Sequence, residues 1–202
     1  MSYVQELDHM DDSGEMGKLL EKEKKRFAGS EVTGKTLGVV GLGAIGSIIA
    51  NLALDLGMDV IGYDPAISVE AAWQLSSRVE RMESLEKLLA SADFVTLHVP
   101  AIPATKHLIN HETLSGMKST AKILNFAREE IVNTDDMVDA LETGSIAGYI
   151  SDFPTPALLG RKNVLLMPHI GASTAEAEEN CAVMAADQLK DFLENGNIHN
   201  SV

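Results

Sequence analysis

The stretch "TLGVVGLGAIGSIIANLALDLGMDVIGYDP", residues 36–65, constrains the fold more than any other part of the chain. A short β-branched run leads into three closely spaced glycines, a helical run follows, and a second apolar run ends at an acid. That order is a strand, a tight turn, a helix and a second strand, and two strands joined through a helix lie parallel. The rest of the chain repeats the alternation. "DFVTLHVP", "AKILNFA", "IAGYISDF" and "NVLLMPH" read as strands, and "SLEKLLASA", "NTDDMVDALETG" and a last helix from about Thr174 to Asn195 read as helices. Strands that are continuously apolar, rather than apolar at every other residue, belong to a sheet buried on both faces. The expected fold is therefore α/β, a doubly wound parallel sheet.

Gly41, Gly43 and Gly46 form G-x-G-x-x-G at the strand-to-helix turn. The first glycine permits the turn, the second lets a pyrophosphate approach the backbone, and the third lets helix and strand pack closely. The free N–H groups at the start of the helix then face the anion. Asp64 follows Gly46 by eighteen residues at the end of the next strand, where a carboxylate can accept hydrogen bonds from an adenosine ribose. "DPAISVE" offers no Arg or Lys for a 2′-phosphate, so the expected cofactor is NAD rather than NADP. This is a Rossmann-type dinucleotide site, against the plainer reading of a glycine-rich turn in some other α/β protein.

With sixteen basic against thirty acidic residues, a formal net charge of -14, the chain repels phosphate backbones and has no cationic cluster for nucleic acid or a membrane surface. Neither partner is expected, and no metal site either. No apolar run is long enough to cross a bilayer, and the start "MSYVQELDHMDDSGEM" is acidic where a signal peptide is basic, so the cytoplasm is the default location. "GEMGKLLEKEKKRFAGSEVTG" reads as a charged helix ending at the Gly29 and Gly34 turns. In the last helix Ala182, Ala185, Ala186, Leu189 and Leu193 recur at three- and four-residue spacing as a core-facing stripe. Cys181, the only cysteine, is expected as a small buried side chain in that helix.

Three further stretches fall at strand ends, where a doubly wound sheet binds its ligand: "LHVPAIPAT", "NFAREEIVNTDDMVDAL" and "PHIGAST". Pro100 and Pro103 stiffen the first, Arg128 follows the strand ending in Asn125, and His169 follows the last strand. Taken singly, Arg128 reads as a surface residue capping a turn and His169 as a hydrogen-bonded strand end. Their joint order after a phosphate loop favours chemistry, because sites are recognised by combined roles.

In order, "VVGLGAIG", "FVTLHVPAIPATKHLIN", "NFAREEIVN" and "MPHIGAST" resemble the cofactor domain of the D-isomer-specific 2-hydroxyacid dehydrogenases, over about residues 27–202. The resemblance implies roles. Gly43, Ala44 and Ile45 would line the pyrophosphate, Asp64 the ribose, and His98, Val99, Pro100 and Thr105 the middle of the cofactor, His98 through its backbone. Ala127 and Asp152 would lie near its nicotinamide half, and Gly171 would also contact the cofactor. Arg128 would hold the carboxylate and carbonyl of a small 2-hydroxy acid with its planar fork of donors. His169 would take the proton from the 2-hydroxyl, a task suited to an imidazole of ordinary pKa about 6.5. His9, His107, His111 and His199 have no assigned role.

The chain departs from the family pattern in two places. Many relatives carry a glutamate between the positions of Asp152 and His169, and "SDFPTPALLGRKNV" has none. Asp152 could substitute for it, but the resemblance assigns Asp152 to the cofactor, so His169 is expected to use a backbone group, a water or an acid from outside this segment. "AREE" also sets Glu129 and Glu130 beside Arg128, where many relatives have glycines. The resemblance further implies a separate substrate domain that this sequence does not contain. The expectation is an excised cofactor domain: residues 1–28 a helical arm packing on a partner chain, 29–196 the NAD-binding domain, 197–202 the return to the substrate domain, and the whole a homodimer. The expected function is NAD-dependent oxidation of a D-2-hydroxy acid. The alternative class is an NAD(H)-responsive regulatory binding protein on the same fold.

Overall fold

The computed structural model describes residues 7–198. His199 and the ends of both the arm and the return segment lie outside them. The elements run α1 (Ser13–Glu23), β1 (Thr36–Val40), α2 (Ala44–Asp55), β2 (Asp59–Tyr63), α3 (Val69–Gln74), β3 (Glu80–Arg81), α4 (Leu85–Ser91), β4 (Phe94–Leu97), α5 (His111–Ser115), β5 (Lys122–Asn125), α6 (Thr134–Thr143), β6 (Gly148–Ser151), β7 (Val164–Leu166) and α7 (Ala175–Asn195). The seven strands form one sheet in the order β3-β2-β1-β4-β5-β6-β7, every pairing parallel. The expected doubly wound parallel sheet is what the chain forms.

The chain winds outward from β1 to β3, returns to β4 beside β1, and winds outward the other way. Right-handed crossovers then place α2 and α3 on one face and α4 to α6 on the other. Two apolar cores result. Leu37, Val39, Ala50, Ala53, Leu54 and Val60 pack under α2, and the larger cluster around Leu88, Val95, Ile109, Ile123, Ile131 and Met137 packs under α4, α5 and α6. Each buried Val, Leu, Ile and Met side chain among them is worth about 1.5–3 kcal/mol relative to exposure.

Local chemistry sets the helix ends. Asn133 caps α6 by accepting from the N–H groups of Asp135 and Asp136, and Gly144, in the left-handed region at φ 72°, ends it. Ser84 caps α4 through the Lys87 N–H, and Leu85, Leu88 and Leu89 form its buried stripe.

Several expectations are corrected. The charged N-terminal helix stops at Glu23 and tightens into a 3-10 turn over Lys24–Phe27, because its charged sequence buries no side chain to hold it longer. The short elements α3, β3 and α5 are additional to the expected alternation. The two residues of β3 are both exposed, so they carry no hydrophobic pattern.

The last helix differs most. None of the 21 residues of α7 is buried. Ala182, Ala185, Ala186, Leu189 and Leu193 are exposed rather than core-facing, and Cys181 is exposed too. The chain leaves the sheet at the β7 edge, and the amphipathic stripe of α7 meets no apolar partner among the described residues.

Candidate active site

A parallel sheet points all its strand C-termini the same way, so the expected site residues gather along one edge. Asp64 follows β2, Gly41 and Gly43 follow β1, and His98, Val99 and Pro100 follow β4. Ala127 and Arg128 follow β5, Asp152 follows β6, and His169 and Gly171 follow β7. The strand order reverses between β1 and β4, the crevice where such sheets bind ligands.

The phosphate loop is a close backbone crossing. Gly41 has φ 90°, and a Cβ there would stand 2.6 Å from the His98 carbonyl oxygen. A Cβ on Gly46 would stand 1.9 Å from the Gly41 oxygen. Both glycines are demanded by the protein itself. Gly43 differs, since a Cβ there would meet nothing within 4 Å. Only a molecule lying on the loop would require its absence, which is the fit expected of a dinucleotide cradle. Gly43 is the N-cap of α2 and gives it no side-chain cap, so the helix start is open to an anion; Ala44 and Ile45 form that start and are exposed.

Asp64 is locked beside this loop: its Oδ2 accepts from the Leu42 N–H at 2.8 Å and its Oδ1 from the Ala66 N–H at 2.9 Å. Across the crevice, Thr105 donates its hydroxyl to the Pro100 oxygen at 2.5 Å and accepts from the Ile102 N–H at 3.0 Å, closing the proline loop. The His98 ring makes a 2.9 Å hydrogen bond with Thr96, and burial lowers its pKa from the ordinary histidine value.

The other end of the edge is built from side chains. His169 donates from Nδ1 to Asp152 Oδ2 at 2.8 Å, which leaves Nε2 free to exchange a proton. The expectation of a backbone, water or outside acid partner is thus corrected, because Asp152 itself supplies the carboxylate. The reason is register: Ser151 pairs with Leu166, and the Met167 N–H bonds to the Ser151 oxygen, so the next residues of β6 and β7 meet. The Phe153 ring lies 4.9 Å from the imidazole, centroid to centroid, and supports it from a second side. The His169 side chain is 57% exposed, whereas that of Asp152 is 12% exposed. The buried Asp152 Oδ1 has no hydrogen-bond partner among the described residues.

Arg128 is exposed and bonds through Nη1 to the adjacent Ala127 oxygen at 2.6 Å. Its turn is held from beneath by Asn125, which is fully buried. Asn125 Nδ2 donates to the Arg128 oxygen at 2.9 Å, and its Oδ1 accepts from the Ala127 N–H at 3.2 Å. Sequence reasoning noted Asn125 only as a strand end; an amide closing an otherwise apolar strand was the available signal. Phe153 had none. Glu129 and Glu130 are exposed on a 3-10 turn directly after Arg128.

Comparison with known proteins identifies the family and the fold. The family model for the D-isomer specific 2-hydroxyacid dehydrogenase NAD binding domain matches residues 1–171. D-3-phosphoglycerate dehydrogenase of Synechocystis sp. is 44% identical over 191 residues, which cover 92% of this chain and 34% of that protein. The enzyme of the same name from Methanocaldococcus jannaschii is 40% identical, with 86% of this chain and 34% of that protein covered. The chain thus spans about a third of the length of these relatives. Among solved structures, apo D-mandelate dehydrogenase of Rhodotorula graminis superposes with TM-score 0.77 at 29% identity, covering 94% of this chain and 56% of that one. The NAD-complexed D-isomer specific 2-hydroxyacid dehydrogenase of Lactobacillus delbrueckii gives TM-score 0.73 at 29% identity, covering 88% and 58%.

Proposed function

This chain belongs to the D-isomer-specific 2-hydroxyacid dehydrogenase family, as its NAD-binding domain, and from that premise we propose that it serves the oxidation of 3-phosphoglycerate to 3-phosphohydroxypyruvate in serine synthesis. The observation that carries the chemistry is the His169–Asp152 pair beside the Arg128 turn, on the same sheet edge as the phosphate loop. The substrate follows from the name shared by relatives at 44% and 40% identity.

NAD, when bound, accepts the hydride that leaves C2 of the hydroxy acid. Gly43 and the open start of α2 would hold its pyrophosphate and Asp64 its adenosine ribose, and Val99, Pro100, Thr105, Ala127, Asp152 and Gly171 would border the remainder. Arg128 pairs its guanidinium with the substrate carboxylate and carbonyl oxygen. His169 Nε2 takes the hydroxyl proton as the C2–H bond breaks, so the alcohol becomes a ketone and the imidazole carries the proton away. Asp152 holds the ring in the tautomer that keeps Nε2 unprotonated and faces the imidazolium that forms. With a carboxylate in place on Nδ1, the missing glutamate no longer speaks for a purely regulatory nucleotide-binding protein.

The whole protein is a homodimer in this reading, and it works in the cytoplasm. An open apolar groove of about 440 Å³, lined by Ile49, Leu52, Leu56, Phe94, Leu124 and Phe126, supports a second copy there, since a face this apolar is costly to leave in water. Among the described residues no helix is long and apolar enough to cross a membrane.

The deciding experiment follows NADH consumption with 3-phosphohydroxypyruvate, using this chain and any longer form its gene encodes. Turnover that His169→Ala abolishes, with NADH binding retained, is expected. Turnover only with another 2-keto acid reassigns the substrate, and a His169→Ala rate equal to wild type overturns the site.

A further inference from the structure

We propose that His107 is a positioning residue: held in the left-handed region, it sets a short parallel ladder, residues 107–109 against 130–133, that joins the proline loop to the Arg128 turn. The consequence for catalysis rests on the dehydrogenase reading, whereas the ladder does not.

His107 and Asn163 are the non-glycine residues with positive φ among the described residues, and His107 stands at 51°. A side chain in that region costs free energy, so the conformation persists only where its surroundings fix it. Both backbone polar groups of His107 are held. Its N–H donates to the Glu130 carbonyl at 2.8 Å, and its carbonyl accepts from Asn110 Nδ2 at 3.0 Å. The imidazole is exposed, so the position works through its backbone.

The kink brings the chain into register with the segment that follows Arg128. The Ile109 N–H donates to the Ile131 carbonyl at 3.1 Å, the Asn133 N–H donates to the Ile109 carbonyl at 2.8 Å, and Ile109 bridges Val132 in parallel. Ile109 and Ile131 are fully buried, which keeps water from competing for these bonds. Toward the cofactor, the Leu108 N–H donates to the Thr105 carbonyl at 3.2 Å, and the Thr105 hydroxyl closes the loop on Pro100. Toward the substrate, the Val132 N–H donates to the Glu129 carbonyl at 3.2 Å, and Asn125 holds the carbonyl of Arg128 itself. Backbone hydrogen bonds thus run from the loop assigned to the middle of the cofactor to the turn that carries Arg128. A cofactor that steadies the loop therefore steadies Arg128 for the substrate carboxylate.

Two kinds of substitution separate register from side chain. Valine is β-branched and strongly disfavoured at positive φ, whereas glycine and asparagine enter that region readily. In amide hydrogen exchange on the 202-residue chain, His107→Val should speed exchange at Ile109 and Asn133 about tenfold, the loss of one ordinary hydrogen bond, while the Val39 and Val95 amides keep their protection. His107→Gly and His107→Asn should exchange like wild type. An unchanged rate in His107→Val, or equal losses in all three variants, overturns the proposal. A second measurement needs no variant to fold: saturating NADH should slow exchange at Ile109 and Asn133 of the wild type severalfold, and slowing confined to Thr105 overturns the coupling. In any form that turns over, His107→Val should raise KM for the 2-keto acid severalfold at saturating NADH, with His107→Gly near wild type. A role in stability alone would lower the melting temperature and leave KM unchanged. Absence of NADH binding by fluorescence titration would defeat the dehydrogenase reading, while exchange in the variants would still decide the ladder.

Discussion

The two ends of the ligand edge are made by opposite means. At β1 and β2 the working parts are backbone: glycines that let strand and helix touch, an uncapped helix start, and a carboxylate pinned by two amides. At β5 to β7 they are side chains that follow three different strands: Asp152 holds the His169 ring, and buried Asn125 holds the backbone turn that carries Arg128. A backbone site depends on the absence of atoms, so it fails by collision. A side-chain site depends on partners being present, so it fails by losing chemistry while the fold survives.

Substitutions at the side-chain end should show the largest effect. In the turnover-competent protein, His169→Ala should lower kcat about 10²- to 10⁴-fold, the usual contribution of a positioned acid–base. Its thermal unfolding should barely change, since the side chain is 57% exposed. A melting temperature that falls with activity would mean that the pair is structural.

Gly46→Ala should be next, and should break the opposite end through stability. Its Cβ would stand 1.9 Å from the Gly41 oxygen, a backbone atom that cannot move aside alone. A loss of about 3 kcal/mol is expected in urea unfolding, together with lost NADH binding. Gly43→Ala sharpens the contrast, because its Cβ meets nothing in the protein. Stability should stay within about 0.5 kcal/mol while NADH binding by fluorescence titration weakens about tenfold or more. Equal stability losses in the two variants would refute the idea that the loop is shaped for a ligand.

The smallest effect belongs to pH. Burial lowers the pKa of His98, so the folded protein holds fewer protons there than the unfolded chain. Its contribution to stability is complete above the ordinary histidine value near 6.5 and is lost as pH falls from there through the lowered folded value. His98→Gln should flatten the pH dependence of the melting temperature in that window, and an unflattened curve would place the dependence elsewhere.

How much of this was legible follows the same division. The phosphate loop and Asp64 are written within one strand-helix-strand unit, so local order and spacing were enough to place them. The parallel sheet was legible for a similar reason, because continuously apolar strands between helices have few other ways to bury both faces. His169 and Arg128 could be nominated but not completed. The partner of His169 is seventeen residues away on a neighbouring strand, and it becomes visible only when β6 and β7 are in register. The Asn125–Tyr149 bond spans twenty-four residues for the same reason. The periodicity of α7 misled, since a three- and four-residue stripe says which face is apolar and says nothing about whether a partner covers it.

By itself, then, the sequence determined what depends on neighbours along the chain: the winding of the sheet, the glycine loop, the acid that follows it, and the placing of Arg128 and His169 after strands. Tertiary structure alone decided which carboxylate holds His169, what supports the Arg128 turn and whether the last helix is buried. Those depend on strand register and on surfaces meeting across space, and local residue order does not encode either.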